Sequence, residues 1–111
     1  MTDTRNEIDT TVAETIQAQI GHQAFVMLGA YQLVALADGL KFRIRGSRLG
    51  NLIIVQYNAG RDVYDLSLWD VRGVNTKLRN RYHDHQAGEL LTAIEGMTGL
   101  ATSLGTMKGG R

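Results

Sequence analysis

Between residues 40 and 72 the chain reads LKFRIRGSRLGNLIIVQYNAGRDVYDLSLWDVR, and apolar and polar side chains alternate through most of it. That period belongs to a strand with one buried face, because successive side chains on an extended backbone point to opposite sides. Leu40, Phe42 and Ile44 point one way, and Lys41, Arg43 and Arg45 the other. A turn over 46–50, which contains Arg48, leads to a second strand. There Ile53, Val55 and Tyr57 join the apolar side and leave Leu52, Ile54 and Gln56 outward. After Asn58-Ala59-Gly60, Tyr64, Leu66 and Leu68 face inward, with Asp65, Ser67 and Trp69 outward. Turns this short join antiparallel neighbours, so the segment predicts a three-stranded meander with one face in a core.

The flanks read as helices. Thr11 and Glu14 have capping-box spacing, and Ile8, Val12, Ile16 and Ile20 recur every fourth residue up to Gly21, a natural stop. This predicts a helix over about 10–20. The run AFVMLGAYQLVALA at 24–37 is almost wholly apolar, and period alone does not separate buried strand from buried helix. Gly29 within it, its β-branched and aromatic residues, and the hairpin dipeptide Asp38-Gly39 after it point to two short strands or one bent strand. Val71 to Asp84 is polar, with Lys77, Arg79 and Arg81 at two-residue spacing beside Leu78 and Tyr82; it fits a fourth strand or an exposed loop. From about Asp84, an apt N-cap, the helical period returns through Leu90, Leu91, Ile94 and Met97 to Gly99. Gly88 costs a helix ~1 kcal/mol relative to alanine, which favours a start just beyond it. Leu100 and Leu104 are placed to fold back on the core.

The expected architecture is a single α+β domain over 10–104. It has an antiparallel β-meander sheet of about four to five strands, with an N-terminal and a C-terminal helix packed on one face. Residues 1–9 read as a flexible N-terminus and 105–111 as a flexible, glycine-rich tail.

Composition narrows the chemistry. With 111 residues, 43% of them hydrophobic, the chain can form a core without a metal or cross-links. It has no cysteine, which excludes disulfides, thiolate metal sites and cysteine nucleophiles. The first residues are polar and acidic, unlike a secretory leader, and no apolar run approaches the ~20 residues of a membrane span. A soluble cytoplasmic protein without membrane contact is expected. The net charge of +1 leaves nucleic acid and protein both open as partners, so local clustering must decide.

Catalytic patterns are weak. Ser47, Ser67 and Ser103 have no nucleophile-elbow context, and Asp65 and Asp70 alternate to opposite strand faces, with Asp62 at a turn. The glycines of 46–50 introduce no helix and so lack phosphate-cradling logic. His83 and His85 would share a side in an extended segment, with His22 as a remote third ligand, but Asp84 is equally explained as a cap. The expectation is no enzyme, no cofactor and no metal.

What remains is the outward sheet face. Lys41, Arg43, Arg45 and Trp69, with Arg48 at the rim, are the candidate partner-binding residues. Arginines suit bidentate contact with carboxylates, and tryptophan suits an anchor. The same cations and ring would suit single-stranded nucleic acid, helped by Lys77, Arg79 and Arg81. Outward Leu52 and Ile54, together with Asp65 among the cations, favour protein contact or self-association into a homodimer over nucleic acid. The simpler reading beside both is a solvated or dimer-forming face whose cross-strand Arg–Asp pairs are ordinary decoration.

Three strings carry a resemblance: FRIRGSR before an apolar strand, DVYDLSLWDVRG, and HDHQAGELLTAIEGMTGLATSL. Together, over about 22–104, the chain resembles small uncharacterised proteins encoded by bacteriophages and prophages. The resemblance implies a mobile-element origin, a bacterial host cytoplasm and an accessory role. It carries over no active residues. Small phage proteins of this size often act as inhibitors that occupy a surface of a host or phage protein, including defence machinery.

Overall fold

The computed structural model describes residues 10–102. The segments expected to be flexible lie outside the described residues, as do Ile8, Ser103 and Leu104. Along the chain come α1 (Thr11–Ile20), α2 (His22–Leu28), β1 (Tyr31–Leu36), β2 (Gly39–Arg43), β3 (Leu52–Asn58), β4 (Val63–Arg72) and β5 (Asn75–His85), then a 3-10 turn (Ala87–Glu89) and α3 (Leu90–Thr98). The five strands form one antiparallel sheet in the order β1-β2-β3-β4-β5. This is the α+β meander that the alternation predicts.

Cross-strand register aligns the apolar side. Leu40 pairs with Val55 and Val55 with Leu66; Phe42 pairs with Ile53 and Ile53 with Leu68. These residues are buried, and so are Ile16 and Ile20 of α1, Phe25 and Leu28 of α2, and Leu90, Ile94 and Met97 of α3. Each fully buried aliphatic contributes ~1.5–3 kcal/mol relative to exposure. Phe25 and Phe42 meet edge to face, with ring centres 5.2 Å apart at 82°. One face of the sheet is thereby committed to helices, and no helix among the described residues covers the other.

Residues 24–37 depart from expectation. The first half is helical: α2 buries Ala24, Phe25 and Leu28, a spacing of one, three and four that belongs to a helix face. Gly29 ends it in the left-handed region at φ 65°, and its N–H reaches the carbonyl of Val26. The glycine read as a strand irregularity is thus a helix stop, and only Tyr31–Leu36 is strand.

The β1–β2 hairpin also differs in register. Leu36 pairs with Gly39, so the two loop residues are Ala37 and Asp38, and neither has positive φ. Gly39 opens β2 instead, where a Cβ would run into the carbonyl oxygen of Val55. Space between strands, not turn conformation, requires glycine there.

Both helix starts are corrected too. The N-cap of α1 is Thr10, whose hydroxyl donates to the Glu14 carboxylate at 2.9 Å, in place of a Thr11–Glu14 box. A capping box does form at the other end of the domain, between Gln86 and Glu89. Asp84 is not an N-cap; it belongs to β5, with φ 62°. Gly88 falls in the 3-10 turn ahead of α3, and Leu100 packs against the core.

Val71 to Asp84 resolves largely into a strand. β5 pairs with β4 from Arg72↔Asn75 to Tyr64↔His85, with irregularities at Tyr64/Leu66 and Leu68/Trp69. Each places an extra residue on β5. Beyond β3 the β4–β5 hairpin is braced by Asn51, whose amide donates to the Val71 carbonyl (2.9 Å) and accepts from the Val71 N–H (2.8 Å).

Candidate partner-binding trough on the outer sheet face

Register carries the outward residues into rows across the sheet. Val34 lies opposite Lys41, Lys41 opposite Ile54, Ile54 opposite Ser67, and Ser67 opposite Arg81. The next row holds Tyr31, Arg43, Leu52, Trp69 and Leu78, and a third holds Leu36, Gly39, Gln56 and Asp65. Lys41 and Arg81 therefore stand roughly 14 Å apart in one row, three strand spacings from each other.

Between them lies an open trough of about 540 Å³, lined among others by Leu36, Lys41, Ile54, Ser67, Trp69 and Arg81. A second hollow of about 490 Å³ continues toward the β1 edge, over Gln32, Val34, Lys41, Arg43 and Leu52. Lys41 is common to both.

Trp69 is held in this trough by one bond. Its indole N–H donates to the Ser67 hydroxyl at 2.9 Å, and Ser67 is only 9% exposed. The donor is thereby used, so what the ring offers a partner is its apolar face. A side chain already fixed in one rotamer loses less freedom when a partner packs on it.

Charge on the face is predominantly positive. Lys41, Arg43 and Arg81 oppose Asp65, and Asp65 is already engaged: its Oδ1 accepts from the Asp84 N–H at 3.0 Å and lies 3.6 Å from His83 Nδ1. Leu52, Ile54 and Trp69 are half-buried among these groups, while Val34 and Leu78 are exposed at the flanks.

Sequence-predicted residues separate here. Lys41, Arg43 and Trp69 come together on adjacent rows. Arg45 stands at the margin, its guanidinium 4.1 Å from the centre of the Tyr31 ring. Arg48 does not line the trough; its turn is tied to the helical layer, where the Ser47 hydroxyl donates to the Thr98 carbonyl at 2.7 Å. Of the β5 cations only Arg81 reaches the trough. The irregularity beside Trp69 leaves Arg79 without a partner in the register, and Lys77 pairs with Asp70 at the hairpin.

The β5 irregularity at Asp84 also parts the histidines. His83 faces Asp65, whereas His85 stacks on Tyr82 and lies 3.4 Å from Glu89. Among the described residues, no group of three or more His, Asp or Glu is placed to hold a metal ion. Two tyrosines with displaced ionisation lie off the trough. Tyr57 is pushed above its ordinary value chiefly because its hydroxyl donates to the Asp62 carboxylate at 2.7 Å. Tyr64 is pushed up by burial.

Ser67, Arg81, His83 and Leu36 complete the trough. The sequence alone places Ser67 outward, offers Arg81 as a nucleic-acid contact on the same face, weighs His83 only as a metal ligand and does not single out Leu36. Leu36 was accessible through hairpin parity with Gly39. His83 was not, because the β5 irregularities break the alternation that would have placed it. Comparison with protein-family models, curated proteins and solved structures gave no match. No helix among the described residues is long and apolar enough to cross a membrane.

Proposed function

We propose that this chain is a non-enzymatic accessory protein of phage or mobile-element origin. In this reading it works in a bacterial host cytoplasm by binding another protein, a host or defence factor, through the outer sheet face. The observation that carries the binding reading is the indole of Trp69, pinned by Ser67 in a trough with Lys41 and Arg81 at either end. An aromatic anchor beside apolar side chains, with cations at the rim, suits a partner segment bearing an apolar side chain and carboxylates. The mobile-element origin rests on the resemblance of the three sequence strings.

The test is affinity purification from host cells with nuclease treatment, comparing the natural chain with Trp69→Ala and Lys41→Ala. A partner retained by the natural chain and lost from both variants, with their circular dichroism unchanged, supports the reading. A partner held equally by all three places the site elsewhere.

A second reading has its own observation. Because the indole N–H is occupied and Asp65 is engaged, the face presents a stacking surface among Lys41, Arg43 and Arg81, which suits single-stranded nucleic acid. Three phosphate contacts would make log affinity fall with log salt at a slope of roughly −2. No gel shift at low salt removes this reading.

A further inference from the structure

The sheet has two edges, and they are built differently. β5 is long, carries Lys77, Arg79 and Arg81, and is irregular at two places, devices by which an edge repels a further strand. β1 carries no charged residue, and its Leu33 and Val34 are 38% and 44% exposed. Its irregularity falls between Tyr31 and Val34, which leaves the stretch to Leu36 in plain register with β2. Leu36 and Gly39 close a two-residue hairpin and so form a hydrogen-bonded pair. Alternation then makes Ala35↔Leu40 the other kind, with the N–H and C=O of Ala35 directed away from β2.

We propose that a second copy of this chain pairs with that edge. The two β1 strands run antiparallel about a two-fold axis at Ala35 and join two five-stranded sheets into one. At this register the two Ala35 residues exchange both backbone bonds across the axis.

Charge favours the same arrangement. Arg45 lies over Tyr31, and Arg43 is the cross-strand partner of Tyr31, so the start of β1 is positive. Asp38 follows its end. Antiparallel pairing lays the start of each β1 beside the end of the other, so Arg45 meets Asp38 of the second copy twice. Parallel pairing would set like against like. The hollow over Gln32, Val34 and Arg43 adjoins this edge, so pairing would also make the two outer faces continuous. The inference does not depend on what the outer face binds.

Sedimentation equilibrium from about 1 to 500 µM tests it, a range that brackets a micromolar dimer in which residues 34–36 of each β1 pair and two ion pairs flank them. Twice the monomer mass is expected for the natural chain. Ala35→Pro removes an N–H that serves only the second copy, so the β1–β2 ladder stays intact while dimerisation weakens at least ~10-fold. Asp38→Arg and Arg45→Glu should each weaken the dimer, and combining them should restore it; this pair of changes decides the matter even if the proline variant fails to fold. A chain that stays monomeric throughout overturns the proposal, including one whose edge is covered by its own residues 1–9. So does a dimer indifferent to Ala35→Pro in a folded variant, or a double charge reversal no tighter than the single ones.

Discussion

The two faces of β2, β3 and β4 are made by the same residues taken alternately, yet they answer to different constraints. On the inner face Leu40, Phe42, Ile53, Val55, Leu66 and Leu68 are all sealed against helices. On the outer face Lys41, Arg43, Leu52, Ile54 and Trp69 are half-buried at most, and no helix among the described residues covers them. A stable core needs the first set and makes no demand for Ile54 or Trp69 in the second. The difference separates folding from recognition within one sheet.

The sharpest break in that comparison is a truncation on each side of one strand. Phe42→Ala should cost about 3–5 kcal/mol, because a fully buried ring is replaced by a cavity that the α2 contact cannot fill. Lys41→Ala, one residue away on the other face, should stay within about 0.5 kcal/mol. Urea unfolding of both variants measures this; equal losses would mean that the outer face is structural. Gly39→Ala should come next, at about 1–3 kcal/mol, since its methyl group must displace β3 at the Val55 carbonyl.

The positions where sequence was readable follow the same division. Strands β2, β3 and β4 each have one face in the core, so alternation was enough to assign their faces and antiparallel order, while the register came from the structure. The α2 region has apolar residues on nearly every side, and Val26 is 62% exposed despite its apolarity, so no period marked it as helix. β5 failed differently. Two extra residues shift its parity, so Lys77, Arg79 and Arg81 look like one row in sequence yet stand in three settings. Parity errors of this kind hid His83 and exaggerated the basic patch. The Ser67–Trp69 bond escaped notice because two residues on one strand face look like neighbours rather than partners.

That bond supplies a smaller and more local break. Ser67→Ala leaves the indole N–H without its partner and should lower stability by about 0.5–1.5 kcal/mol. Its clearer consequence is motion. The chain has one tryptophan, so fluorescence anisotropy decay reports Trp69 alone, and a fast component should appear or grow in the variant. An unchanged decay would show that packing, not the hydroxyl, fixes the ring.

The smallest effect lies on Tyr57, which packs against the edge of the core while its hydroxyl reaches solvent-facing Asp62. The neutral phenol donates to the carboxylate; the phenolate cannot, and it is repelled by the same charge. Its folded pKa therefore lies above the unfolded value of about 10. The sign follows from linkage: the contribution to stability is fully present below the unfolded value and is lost as pH rises through the folded one. Ultraviolet titration of the natural chain should show tyrosine ionising later than in Tyr57→Phe after allowance for the missing group. The variant should also lose less stability on going from neutral to strongly alkaline pH. Matching alkaline slopes in the two proteins would show that the Asp62 bond does not persist in solution, leaving the β3–β4 turn to its backbone and to the Asn58 side chain, which accepts from the Arg61 N–H.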